Sequence, residues 1–109
     1  MSYAQSAAVQ NLSKVVFGQK NRLAVMVAIA ESDGVVTPGE LAVQLGFPAQ
    51  SAIQLTLRDL QAAGLIVRMD ASAASRATFY RRNDASAAWE LARQLLAHAL
   101  GTSTHAPSQ

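Results

Sequence analysis

The sequence predicts a mainly α-helical domain with one small β-hairpin. Three observations lead there. Apolar residues recur at helical spacing in five separate segments. Two short runs rich in β-branched and aromatic residues, 65–69 and 77–82, lie close together late in the chain. Gly, Pro and Asp-Gly pairs fall at the joints between these segments. The chain has 109 residues, enough for one domain. We read residues 1–100 as that domain and 101–109 as a flexible tail.

The first helix is expected over residues 3–17, where Val9, Leu12 and Val16 form the apolar stripe and Gly18 ends it. The second runs from Gln19 to about Ser32. Its middle, Leu23 to Ala30, is apolar on every side, which marks a buried central helix. Asp33-Gly34 closes it, and Val35-Val36 can form a short strand. Thr37-Pro38-Gly39-Glu40 carries an N-cap, a proline suited to the first helical position and a capping-box glutamate. The short third helix turns Leu41, Ala42 and Leu45 inward and stops at Gly46. Pro48 is expected to open a fourth helix, 48–63, with Ile53, Leu57 and Leu60 as its apolar stripe. The hairpin, 65–82, follows. Asn83-Asp84 caps a last helix ending at Gly101, with Trp89, Ala92 and Leu96 on one stripe, widened by Leu91 and Leu95.

Composition excludes several functions. Half of the residues are hydrophobic, but 22 of them are alanine, so the core is thin. The absence of cysteine excludes disulfides, thiolate zinc sites and thiol chemistry. Only His98 and His105 could join carboxylates in a metal site, so neither metal nor cofactor is expected. No phosphate loop and no nucleophile–histidine–carboxylate set is present, so no enzyme is expected. The longest apolar run, Leu23 to Ala30, is far short of a membrane span, and no leader precedes it. A soluble, cytoplasmic, nucleoid-associated protein is the expectation.

The net charge of +2 hides an uneven distribution. Between Arg58 and Arg82 lie five arginines, Arg58, Arg68, Arg76, Arg81 and Arg82, against Asp59 and Asp70. Arginine presents a planar fork suited to phosphate or guanine. A short helix, a tight turn, a second helix with a polar outer face and a hairpin make a winged helix-turn-helix. The runs Glu40-Leu41-Ala42, Leu45-Gly46, Ile53, Leu57, Leu60, Ala63-Gly64-Leu65-Ile66 and Phe79-Tyr80-Arg81-Arg82, with Asn21-Arg22-Leu23 upstream, resemble small bacterial winged-helix regulators. The ArsR-like group is nearest in size and layout, the MarR-like group next. The likeness covers about residues 19 to 82.

That resemblance implies a repressor that binds a palindromic operator in double-stranded DNA as a homodimer. Helix 48–63 would enter the major groove and present Gln50, Ser51, Gln54 and Arg58 to base edges. The wing cations Arg68, Arg76 and Arg81 would meet phosphate or the minor groove. Arg81 and Arg82 are neighbours in a strand and point to opposite faces, so one is available to DNA while the other pairs with an acid such as Asp84 or Glu90. Leu55 falls off the Ile53 stripe. Contact with a thymine methyl is one reading; packing on the wing or partial exposure is the plainer one, and is preferred. The terminal helices, 3–17 and 84–100, are expected to form the dimer through Val9, Leu12, Val16, Trp89, Ala92 and Leu96. Metal sensing, typical of ArsR-like proteins, is not carried over without cysteines, and the effector is unknown. The alternative is a winged helix that assembles proteins and binds no DNA.

Overall fold

The eight-residue apolar run becomes the centre of the molecule. In the computed structural model, which describes residues 2–70 and 78–104, helix α2 (Arg22–Glu31) buries every side chain from Leu23 to Ala30. A short 3-10 turn over Tyr3–Gln5 and helix α1 (Ala7–Phe17) precede it. Ser6 caps α1, accepting a hydrogen bond from the Val9 N–H. Strand β1 (Val35–Val36), helix α3 (Pro38–Gln44), helix α4 (Ser51–Ala62), strands β2 (Ile66–Asp70) and β3 (Thr78–Arg82), and helix α5 (Ala88–Thr104) complete the order. The strands form one antiparallel sheet in the order β1-β3-β2, with Val36 and Arg68 both opposite Tyr80. The expected mainly α domain with a small sheet and five helices is therefore the fold observed.

Local chemistry explains the turns that matter. Thr37 caps α3 by accepting from the Glu40 N–H. Its hydroxyl also donates to the Glu40 carboxylate, in place of the backbone N–H that a capping box would use. At the other end Gly46 takes φ +76°, with Gly46 N–H bonded to Val43 O and Phe47 N–H to Ala42 O. That is a Schellman closure, which needs a left-handed residue. Gly64, at φ +80°, ends α4 in the same way before the hairpin.

Several boundaries differ from expectation. The first helix, expected over 3–17, is instead the short turn and then α1 from Ala7, because extended Ser6 interrupts the ladder to cap α1. The second, expected from Gln19, begins at Arg22. Helix α4 begins at Ser51, three residues after Pro48. The Ala52 and Ile53 N–H groups bond three residues back, to Ala49 and Gln50 carbonyls, so residues 49–53 form turns before the regular ladder starts. Helix α5 begins at Ala88, with Ser86 accepting from the Ala88 N–H. The Asn83 side chain instead accepts from the Ala85 N–H and donates to Gly64 O. Finally, α5 passes through Gly101 to Thr104. Gly101 lacks the positive φ of a capping glycine, and inside a helix it costs only about 1 kcal/mol.

The core joins α2 to its neighbours. Val9 from α1, Trp89, Ala92 and Ala99 from α5, Ile53, Leu57 and Leu60 from α4, and Ile66 and Tyr80 from the sheet are all buried with it. Trp89 also donates its indole N–H to Asn83 O at 2.9 Å. Val9, Trp89 and Ala92 are thus consumed inside one chain and offer no surface to a second copy. Leu12 and Leu96 are half-buried against the same core. Of the six residues expected at a dimer face, Val16 alone is exposed. Val15, Leu91 and Leu100 join it as exposed apolar groups on α1 and α5.

Tyr3 sits half-buried beside Glu31. Burial first, and the Glu31 charge second, push its phenol above the usual value near 10. The folded state then holds the proton more tightly than the unfolded state. The corresponding stability is present below about pH 10 and lost as pH rises through the folded-state value. Denaturant titrations between pH 9 and pH 11 should show wild type losing more stability than Tyr3→Phe; parallel losses would contradict this placement.

Candidate nucleic-acid interface

Helix α4 is built with one face for the core and one for solvent. Ile53, Leu57 and Leu60 are buried as their spacing requires, and Thr56 is buried with them. The Thr56 hydroxyl donates to Gln19 Oε1 at 2.9 Å. One turn later Asp59 pairs with Arg22. Gln19 and Arg22 belong to the joint between α1 and α2, where the Ser13 hydroxyl accepts from the Leu23 N–H at 3.0 Å and donates to Gln19 O. Two polar contacts therefore fix α4 to the two first helices. The second also offsets the single carboxylate of α4 with an arginine.

The outward side of α4 is a line of residues spaced four, three and four apart: Ser51, Leu55, Arg58 and Ala62, all exposed. Gln54 lies to one side of that line. With Gln50, the residue before the helix, it lines a cleft of about 510 Å³. Thr37, Pro38 and Gly39 at the start of α3 form one wall; Arg68 from β2 with Thr78 and Tyr80 from β3 forms the other. Among the described side chains, none of the lining residues is acidic. Gly39 matters here: a Cβ at that position would lie 3.3 Å from Gln50 Nε2, so its absence gives the Gln50 amide room.

The structure thus brings together Gln50, Gln54 and Arg68, and places Ser51 and Arg58 on the adjoining face of α4. It separates Arg81 from them. Sheet register sets Arg81 opposite Val35 on one side and Val67 on the other, so these three share the outer face. Arg68, opposite Tyr80, is on the inner face toward the cleft. Arg82 also points inward and is committed there. Its Nη1 donates to the carbonyls of Ile29, Ala30 and Ser32 at 2.9–3.1 Å, and its Nε to Asp84 at 2.6 Å. Asp84 is one of the two partners the sequence offered; Glu90 instead meets Arg93. Arg76 lies outside the described residues.

Sequence reasoning missed two parts of this site. Thr37 and Gly39 were legible as helix-capping residues, but nothing local shows that the start of α3 walls the cleft. Leu55 was visible as a misfit; placing Ser51 and Arg58 on the same wheel would have shown it in the middle of the exposed line. Among the described residues, no three His, Asp or Glu side chains gather as a metal site requires, and no helix is long and apolar enough to cross a membrane.

No family model matches the chain, and no curated protein matches it significantly. Solved structures do. A MarR-family transcriptional regulator from Rhodococcus sp. RHA1 superposes with a TM-score of 0.68 at 20% identity, covering 94% of this chain and 71% of that one. AbsC, a MarR-family regulator from Streptomyces coelicolor, gives 0.67 at 16% identity, covering 95% and 75%. A putative transcriptional regulator from Pseudomonas aeruginosa PA01 gives 0.59 at 26% identity, covering 93% and 69%. The fold is the winged helix of such regulators. Two of these neighbours are described as MarR-family, the group placed second by the sequence; the ArsR-like group placed first is not confirmed. Both groups share the helix-turn-helix and wing that the sequence displays, so size and layout alone could not rank them.

Proposed function

We propose that this chain is a sequence-specific regulator of transcription that binds double-stranded DNA through α4 and the cleft beside it. The observation that carries this reading is the convergence of Gln50, Gln54 and Arg68 on one cleft bordering the exposed face of α4. Glutamine amides can pair with adenine edges, and arginine with guanine or phosphate. The three structures above, all described as transcriptional regulators, support the same reading. The finer assignment follows the MarR-like layout: a homodimer on a palindrome, its two α4 helices about one DNA turn, roughly 34 Å, apart, acting as a cytoplasmic repressor. Val15 and Val16 on α1 and Leu91 and Leu100 on α5 supply the apolar surface for the second copy. Arg58 and Arg68 neutralise phosphate or read a base, and Arg81 serves the duplex only where DNA wraps onto the outer face of the sheet.

Mobility-shift titrations on a selected operator and on random duplex test this. Gln54→Ala should relax sequence preference, costing about 1–3 kcal/mol on the operator and little on random DNA. Arg68→Ala should weaken both alike and lower the salt slope by about 1. Absence of any retarded species at about 50 mM salt and micromolar protein would favour the protein-assembly alternative.

A further inference from the structure

Leu55 is a large apolar side chain in the outward-facing line of α4, between the polar Ser51 and Arg58. Ser51 precedes it by one turn and Arg58 follows by one turn. It is 54% exposed and stands outside the residues packed on the core. Core packing therefore does not account for it. In the duplex major groove the one apolar feature a base pair presents is the 5-methyl group of thymine. Resting on the DNA-binding reading above, we infer that Leu55 is a specificity-determining residue that packs on a thymine 5-methyl. The neighbouring polar groups, Ser51 and Gln54 on one side and Arg58 on the other, hydrogen-bond to the flanking base edges or phosphates. An aliphatic side chain has no donor or acceptor for an adjacent base, so it selects by burying the methyl and by excluding pairs that present an unsatisfied amino group there. Any 5-methylpyrimidine satisfies it, so 5-methylcytosine shares the chemistry.

The test uses the full chain and synthetic duplexes. A binding site is first selected from a random-sequence library at low salt. Each thymine of one half-site is then replaced singly by deoxyuridine, which removes only the methyl. One replacement should weaken wild-type binding about four-fold, the worth of one buried methyl. Leu55→Ala should bind the thymine and deoxyuridine duplexes equally and match wild type on the deoxyuridine duplex. Because Leu55 is exposed, the variant should melt as wild type does. A selected site without thymine, a wild type indifferent to every replacement, or a Leu55→Ala that keeps the full four-fold penalty each overturns the assignment while leaving DNA binding standing. A library from which the wild type retains nothing overturns the DNA reading itself, and this assignment with it.

Discussion

Replacing Arg82 by methionine should destabilise the chain by about 3 kcal/mol, lowering its melting temperature by roughly 10–20 °C. Three carbonyls at the end of α2 converge on the guanidinium of Arg82, and the side chain is only 17% exposed. Carbonyls at a helix C-terminus have no partner within the helix. Here one guanidinium reaches all three and complements the negative end of the helix dipole, while Ile29 O also accepts from the Ser32 N–H and hydroxyl and Ala30 O from Arg93 Nη2. Methionine preserves much of the stem volume but takes the charged donor from all three carbonyls and leaves Ser32 O without it, while Ser32 and Arg93 still serve Ile29 O and Ala30 O. The bond to Asp84 adds little, since that carboxylate is 74% exposed and screened by water. Arg82→Lys should recover part of the loss, because the charge returns while the planar fork does not. Asp84→Ala should cost less than about 1 kcal/mol. Thermal melts of the three variants settle this. A methionine variant melting within about 3 °C of wild type would show that Ser32, Arg93 and water satisfy these carbonyls without Arg82.

Arg82 also shows where sequence reading runs out. Alternation along a strand correctly separates Arg81 from Arg82, because a period of two is local geometry. Which of them turns inward depends on where the end of α2 lies, some fifty residues earlier in the chain. That is tertiary information, absent from any window of the sequence. The same distinction holds elsewhere. The stripe Ile53, Leu57, Leu60 was legible because helix periodicity records which face is buried. The start of α4 was not, because Pro48 is compatible with both a first helical turn and the turns before it. Gln50, Gln54 and Arg58 were legible as an outward set, whereas the meeting of Gln50 and Gln54 with Arg68 depends on how the sheet folds back toward α3 and α4. Thr56 was passed over because a hydroxyl on an apolar stripe gives no sign of its partner. That partner, Gln19, sits 37 positions away.

Trp89→Asp should abolish the cooperative fold rather than split a dimer. An apolar stripe on a terminal helix says that a face is buried, but not whether the same chain or a second copy buries it. The alanine-rich composition made a second copy the natural choice. The structure answers with the chain itself: Trp89 is 5% exposed within one chain, packed with α2 and hydrogen-bonded to Asn83 O. Truncating a buried tryptophan to alanine costs about 3–5 kcal/mol, and placing a carboxylate there adds its desolvation. A domain of this size has roughly 5–15 kcal/mol in total. Circular dichroism should therefore show Trp89→Asp largely unfolded or melting far below wild type at any protein concentration. Leu91→Asp is the complementary variant. Leu91 is 48% exposed, so its substitution should leave the melt of the monomer nearly unchanged and shift the sedimenting species of the proposed homodimer toward monomer. The two variants lie two residues apart on α5, about 200° around the helix, and so separate the face that folds the chain from the face that would pair it. A Trp89→Asp protein that retains a cooperative melt yet sediments as a monomer would return Trp89 to the dimer face. A Leu91→Asp protein that unfolds would do the reverse for Leu91, placing it in the core of its own chain.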